Sequence, residues 1–147
     1  MRVVFRPTCS TVPARGPMTM KSPISNGLST AIDNEANKKF VSDFKAKYGT
    51  YPSYYAAQSY DAIMLIASAV EALGGDITDK DALRAELKKA NFDSVRGGFK
   101  FGSNNLPIQN FYLREVVEDA DGTWTTKIVE TVYENHVDSY AAECEMN

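Results

Sequence analysis

The side chains that could do chemistry fall in three places. The first is the stretch YPSYYAAQSY at residues 51–60, where Tyr51, Tyr54, Tyr55 and Tyr60 crowd around Pro52 and Gln58. Tyrosine carries a large apolar face and one polar tip, so such a cluster suits either core packing or an aromatic wall for a small ligand. The second is Cys144 with His136 on the same tail. A nucleophile–base pair also needs an orienting group and an oxyanion site, and a lone tail cysteine near a histidine is more often incidental. The third is Glu115, Asp119 and Asp121. Their spacing misses the twelve-residue calcium loop, and the run Asp-Ala-Asp-Gly at 119–122 reads as a hairpin connection. The chain contains no glycine-rich phosphate loop, nucleophile elbow or HExxH motif. One histidine and two cysteines do not make a Cys/His zinc cluster. The chemistry expected is binding, with no catalysis and no cofactor.

The tyrosines need an element to hold them, and the sequence supplies a long one. Pro52 fixes its own φ and pushes Tyr51 toward an extended conformation, so a helix starts after it. From Tyr60 onward, Ile63, Met64, Ala67 and Val70 share a face at three- and four-residue spacing. Leu65, Ile66, Ala69 and Leu73 line much of the rest, interrupted by Asp61, Ser68 and Glu71. A helix apolar nearly all round is expected to be buried on more than one side, with Ile63 on its most buried face. It is too short and too interrupted for a membrane span. Gly74 and Gly75 supply a left-handed stop.

Two further helices flank it. Asp33 is a plausible N-cap for an amphipathic helix carrying Ala36, Phe40, Val41, Phe44 and Tyr48, ended by Gly49. Its lysines, Lys45 among them, read as a solvated face. Thr78 with Asp81 resembles a capping box ahead of Leu83, Leu87 and Ala90. After Asn91 the pattern turns to strands. GGFKFG at 97–102 reads as a short strand, residues 108–117 as a longer one, and 124–133 as its return, with Trp124 expected to anchor the pair. The tail 136–147 fits either a short helix or an extended finish. The expected architecture is α/β: three helices followed by a small antiparallel strand meander.

At 147 residues and a net charge of −3, the chain fits a single domain and gives no reason to expect nucleic acid. Residues 1–32 differ from the rest, holding four basic residues, four prolines and no acid. Residues 1–28 are accordingly expected to be a disordered or spurious leader, and 29–147 the folded part. The run Val3-Val4-Phe5 is too short for a signal-peptide core. A disulfide between Cys9 and Cys144 requires an oxidising compartment.

The segment ANKKFVSDFKAKYGTYPSYYAAQSYDAIMLIASAVEALGGD, followed by SVRGGFKFGSNNLPIQNFYLREVVEDADGTW, resembles the late part of the periplasmic solute-binding proteins of ABC transporters. The class is the branched-chain amino-acid (leucine-binding) one, and the resemblance covers roughly residues 30–147. It departs at Asn105-Leu106, where relatives carry a histidine and an aromatic before the proline. The resemblance implies the C-terminal portion of a type I two-lobed fold, incomplete here, with residues 1–28 matching nothing in the family. It further implies binding of an amino acid or a related small, aromatic carboxylate. The expected partners are that small-molecule solute and, for the full-length parent, a membrane permease, in the periplasm. By the same analogy Tyr54, Tyr55 and Gln58 face the cleft and are the candidate ligand-binding residues. Removing a neighbouring lobe is expected to leave an apolar patch that invites self-association. A ligand-sensing domain of a regulator with this fold, or a plain structural or interaction domain, are the alternatives.

Overall fold

The computed structural model describes residues 30–144, together with the backbone of residues 21–25. The elements run β1 (Lys21–Ser25), α1 (Glu35–Tyr48), α2 (Tyr54–Ala72), α3 (Lys80–Lys89), β2 (Lys100–Phe101), β3 (Pro107–Glu118) and β4 (Trp124–His136), then a 3-10 turn at Ala141–Glu143. Three helices followed by an antiparallel meander is the expected order. The strand β1 is not: Lys21–Ser25 lie within the expected leader, yet they pair antiparallel with β3, Lys21 opposite Glu115 and Ser22 opposite Arg114. Pro23 fits there because the β1–β3 register is irregular between Ser22 and Ser25 and, among the described residues, β1 pairs with β3 alone. The remainder of that leader, including Cys9, lies outside the described residues. Cys144 is exposed.

Each helix is started by a side chain that accepts an orphan N–H. Asn34, rather than Asp33, caps α1, its Oδ1 accepting the Asn37 N–H at 2.7 Å. The cap falls one residue late because the buried Asn37 donates its side-chain amide to the Ile32 carbonyl at 3.0 Å, fixing how the chain enters. Ser53 caps α2, accepting from Ala56 N–H, and Asp79 caps α3 by accepting from Asp81 and Ala82. The expected Thr78–Asp81 box is therefore not formed, and Thr78 donates its hydroxyl to Asp76 at 2.7 Å. After α2, Gly74 and Gly75 adopt φ of 62° and 87° and return their N–H groups to Glu71 and Val70.

The core is small. Phe40, Ala57 and Val95 are buried together, with Ala36, Val41, Phe44 and Ala56 packed against them. The face of α2 that is buried is the row Ala57, Asp61 and Ala69, and the segment around Val95 packs on its first part, against Ala57 and Asp61. The face expected to be deepest is the exposed one: Ile63 keeps 65% of its surface, and Tyr60, Met64 and Ile66 are also open. Apolar periodicity says which residues avoid water, but not which of two apolar faces the neighbours reach. Among the described residues, no helix is long and apolar enough to cross a membrane.

β3 is the hub of the sheet, pairing antiparallel with β1, β2 and β4. Its ladder with β4 runs from Gln109 opposite His136 to Glu118 opposite Trp124, with irregularities that twist the ribbon. Trp124 sits at the end of this ladder and is 64% exposed, so it is not the anchor its size suggested. His136 packs edge-on against Phe111, ring centroids 5.1 Å apart, and lies near Tyr133.

A charged clasp ties α1 to the β3–β4 turn. Lys45 Nζ lies 2.7 Å from Asp121 and 3.2 Å from Asp119, and stands 4.2 Å over the Tyr51 ring. The Tyr51 hydroxyl donates to Asp119 as well. Lys45 is thus not the idle surface lysine of the sequence reading. Its ammonium holds the Asp121 carboxyl down at about 2, with the Thr123 hydroxyl and N–H assisting. Asp119 is lowered chiefly by Tyr51, and Lys45 is raised chiefly by Asp121. Depressed carboxylates contribute stability above their unfolded value and lose it as pH falls through the folded one, here about 2 for Asp121. The raised ammonium contributes below its unfolded value of 10.5 and loses that contribution as pH rises through the folded one. Lys45→Asp, which sets a third carboxylate beside two, is expected to lower the melting temperature at neutral pH and low salt. The deficit should shrink in high salt, because the clasp is partly open to solvent. Equal melting curves for wild type and variant at low salt would show that the clasp carries no stability.

Candidate functional site

The start of α2 is where binding groups gather. Pro52 is buried and Ser53 caps the helix, so Tyr54, Tyr55 and Gln58 are carried on its rigid first turns. Gln58 Nε2 donates to the Tyr54 hydroxyl, since the two residues are one helical turn apart. The Tyr54 and Tyr55 rings meet edge to face with centroids 5.5 Å apart.

The three residues do not share one cavity. Tyr54 lines a cleft of about 320 Å³ with Tyr51, Ser53, Arg114 and Trp124, and with Thr30, Thr125 and Thr126. Gln58 lines a second cleft of about 400 Å³ with Arg96, Gln109, Phe111 and His136. Tyr55 lines neither and keeps 75% of its surface in water. The Tyr54–Gln58 hydrogen bond is therefore the bridge between two clefts along β3. Both volumes are at the lower end of the range for small-molecule sites.

Arg96 in the Gln58 cleft is committed: its Nε donates to Asp61 at 2.7 Å and its Nη1 to Gln109 at 3.4 Å. Asp61, only 2% exposed, also accepts from the Ser94 hydroxyl at 2.7 Å and the Val95 N–H at 3.0 Å. This pair is structural, binding the segment 94–96 to α2. Arg114 in the Tyr54 cleft is half-buried on β3, and burial pushes its guanidinium below the ordinary arginine value. In the same lining, the Thr30 hydroxyl bonds Thr125 at 2.9 Å and the Thr126 carbonyl at 3.1 Å.

Neither Arg114 nor the Asp61–Arg96 pair was among the expected site residues. Both left a signal: Asp61 is an acid inside an apolar helix, and Arg114 a base inside the strand FYLREV. Charged residues in such places are seldom there without a partner or a ligand.

Residues 12–123 match the family model described as "Periplasmic binding protein". The match begins inside the leader that was expected to resemble nothing in the family. A curated relative, the Leu/Ile/Val-binding protein homolog 6 of Brucella abortus, is 31% identical over 127 residues, covering 83% of this chain and 32% of the relative. The solute-binding protein of an ABC transporter from R. palustris, solved with benzoate, superposes with a TM-score of 0.72 at 33% identity, over 84% of this chain and 32% of that one. Another, from Rhodopseudomonas palustris BisB5 and solved with 3,4-dihydroxybenzoic acid, gives a TM-score of 0.64 at 30% identity, over 76% and 30%. The chain thus spans about a third of the length of the relatives it matches, and its architecture is part of their type I fold. On this evidence the chain belongs to the periplasmic binding protein family, in its branched-chain amino-acid (leucine-binding) class.

Proposed function

We propose that the chain serves an ABC uptake system as a non-enzymatic solute-binding component. The solute is an amino acid or a related small, aromatic carboxylate, and Tyr54, Tyr55 and Gln58 face it. The observation that carries this reading is the Tyr54 cleft at the start of α2, within a family match that reaches from residue 12 to 123. It is supported by the benzoate and 3,4-dihydroxybenzoate held by two structural neighbours. On the same reading the parent works in the periplasm and delivers its solute to a membrane permease.

Recognition is shared with surfaces beyond these residues. Support comes from relatives about three times as long, and from the openness of Tyr55, which offers one wall to a solute that needs two. Titration calorimetry of the 147-residue chain with leucine, valine, phenylalanine and benzoate is therefore expected to be flat in the micromolar range. Amide spectra should shift at residues 53–58 only at millimolar solute, and light scattering should show oligomers joined through exposed Ile63 and Ile66. Micromolar binding by a clean monomer would overturn the shared-wall reading. Millimolar shifts confined to other parts of the chain would overturn the site assignment.

A further inference from the structure

The walls of the Tyr54 cleft come from separate parts of the chain. Tyr51 and Tyr54 stand on the link into α2, whereas Trp124 and Thr125 open β4, directly after the turn at residues 119–122. Lys45 on α1 joins the two. Its three N–H donors have three oxygens to meet: Asp121 at 2.7 Å, the Tyr51 hydroxyl at 3.0 Å and Asp119 at 3.2 Å. Each carboxylate is divided between two tasks. Asp119 Oδ1 accepts the Ala120 N–H at 2.7 Å and Asp121 Oδ1 the Thr123 N–H at 2.9 Å, so both are keyed to the turn backbone. Their Oδ2 atoms are the ones within reach of Lys45, and Asp119 Oδ2 also accepts the Tyr51 hydroxyl.

We propose that Lys45 is a positioning residue for this cleft, setting how far its Tyr51 wall stands from its Trp124 wall. The inference rests on the solute-binding reading and adds what governs the opening of that site. The ammonium reaches each wall through few soft torsions. On one side the Tyr51 hydroxyl is held, Pro52 fixes the next φ, and Ser53 caps α2 at Tyr54. On the other, the Asp121 carboxylate holds the N–H of Thr123, the residue before Trp124. A second tie works beside it, the Thr30 hydroxyl on Thr125 and on the Thr126 carbonyl. That tie is neutral, so salt leaves it in place. The Lys45 side chain is 28% exposed, and its attraction to the carboxylates can be screened. Weakening the ammonium should therefore move Tyr51, Tyr54 and Trp124 against a fixed Thr125 and Thr126.

Trp124 is the single tryptophan, so its indole N–H gives one resolved signal in an amide spectrum of the full chain. Spectra of wild type, Lys45→Met and Lys45→Arg are recorded without solute at low salt and at about 1 M salt, where the screening length falls to about 3 Å. In the wild type, high salt is expected to shift the Trp124 indole and the Tyr51 and Tyr54 amides. Lys45→Met should show these shifts already at low salt and lose most of the salt response. Lys45→Arg keeps the charge and its donors, and should stay close to wild type at low salt. Signals from α3, which carries none of these residues, serve as the reference and should stay in place. Shifts confined to residues 45 and 119–123, or spread equally to α3, would overturn the proposal and leave the clasp a source of stability alone. If the methionine variant does not fold, the wild-type salt series decides: a Trp124 indole and a Tyr54 amide that do not respond would overturn it as well. Because no solute is added, this result is independent of the titrations that test the solute-binding reading.

Discussion

Asp61→Ala is expected to destabilise the fold by about 3–5 kcal/mol, the cost of removing one partner of a buried ion pair. Asp61 is 2% exposed and its partner Arg96 10%, so neither charge can turn to water without moving the chain. The carboxylate accepts from Arg96, Ser94 and Val95 at once. Its loss leaves a guanidinium, a hydroxyl and an N–H without their acceptor around a cavity. Arg96 also reaches Gln109 and stacks 5.3 Å from Phe99, so the second cleft should loosen along with the segment 94–96. Urea unfolding at neutral pH measures the loss. The double change Asp61→Leu with Arg96→Met should recover much of it, because an apolar pair of similar volume needs no solvation. A single-variant loss below about 1 kcal/mol would mean the pair is solvated in solution.

Phe40→Ala is expected to cost a similar amount, about 3–5 kcal/mol, by opening a cavity where α1 meets α2. The Phe40 ring stands 4.8 Å from Tyr60 and 5.8 Å from Phe44, and it is one of the few large side chains in the core. A core this small has little capacity to relax around the hole. Ile63→Asp provides the contrast: at 65% exposure the carboxylate stays in water, and the change should stay within about 0.5 kcal/mol. Chemical denaturation of the two variants side by side ranks them. A larger loss for Ile63→Asp would mean that the outer face of α2 is covered in solution, by self-association or otherwise.

The class of the fold and the order of its elements from α1 onward were legible in the sequence, because they are local, whereas β1 was not. Pro52 and Ser53 start α2, two glycines stop it, and Asp-Ala-Asp-Gly turns the hairpin, each through backbone preferences that act within a few residues. The Tyr54–Gln58 hydrogen bond is equally local, one turn apart on one helix, although the sequence reading reached these residues only through the family resemblance. What the sequence left undecided depended on contacts between distant positions. Whether Ile63 or Ala57 faces inward turns on where Val95 packs, and it packs against Ala57 while Asp61 accepts its N–H. Lys45 changes from a solvated lysine to a clasp only because the hairpin brings Asp119 and Asp121 to it. Arg114 meets Tyr54 across a cleft only once β3 lies beside the start of α2. Periodicity records how each residue regards water. Which neighbour it meets is decided when segments sixty or more residues apart are packed against one another, as Asn34 against Ser94 and Thr30 against Thr125 show.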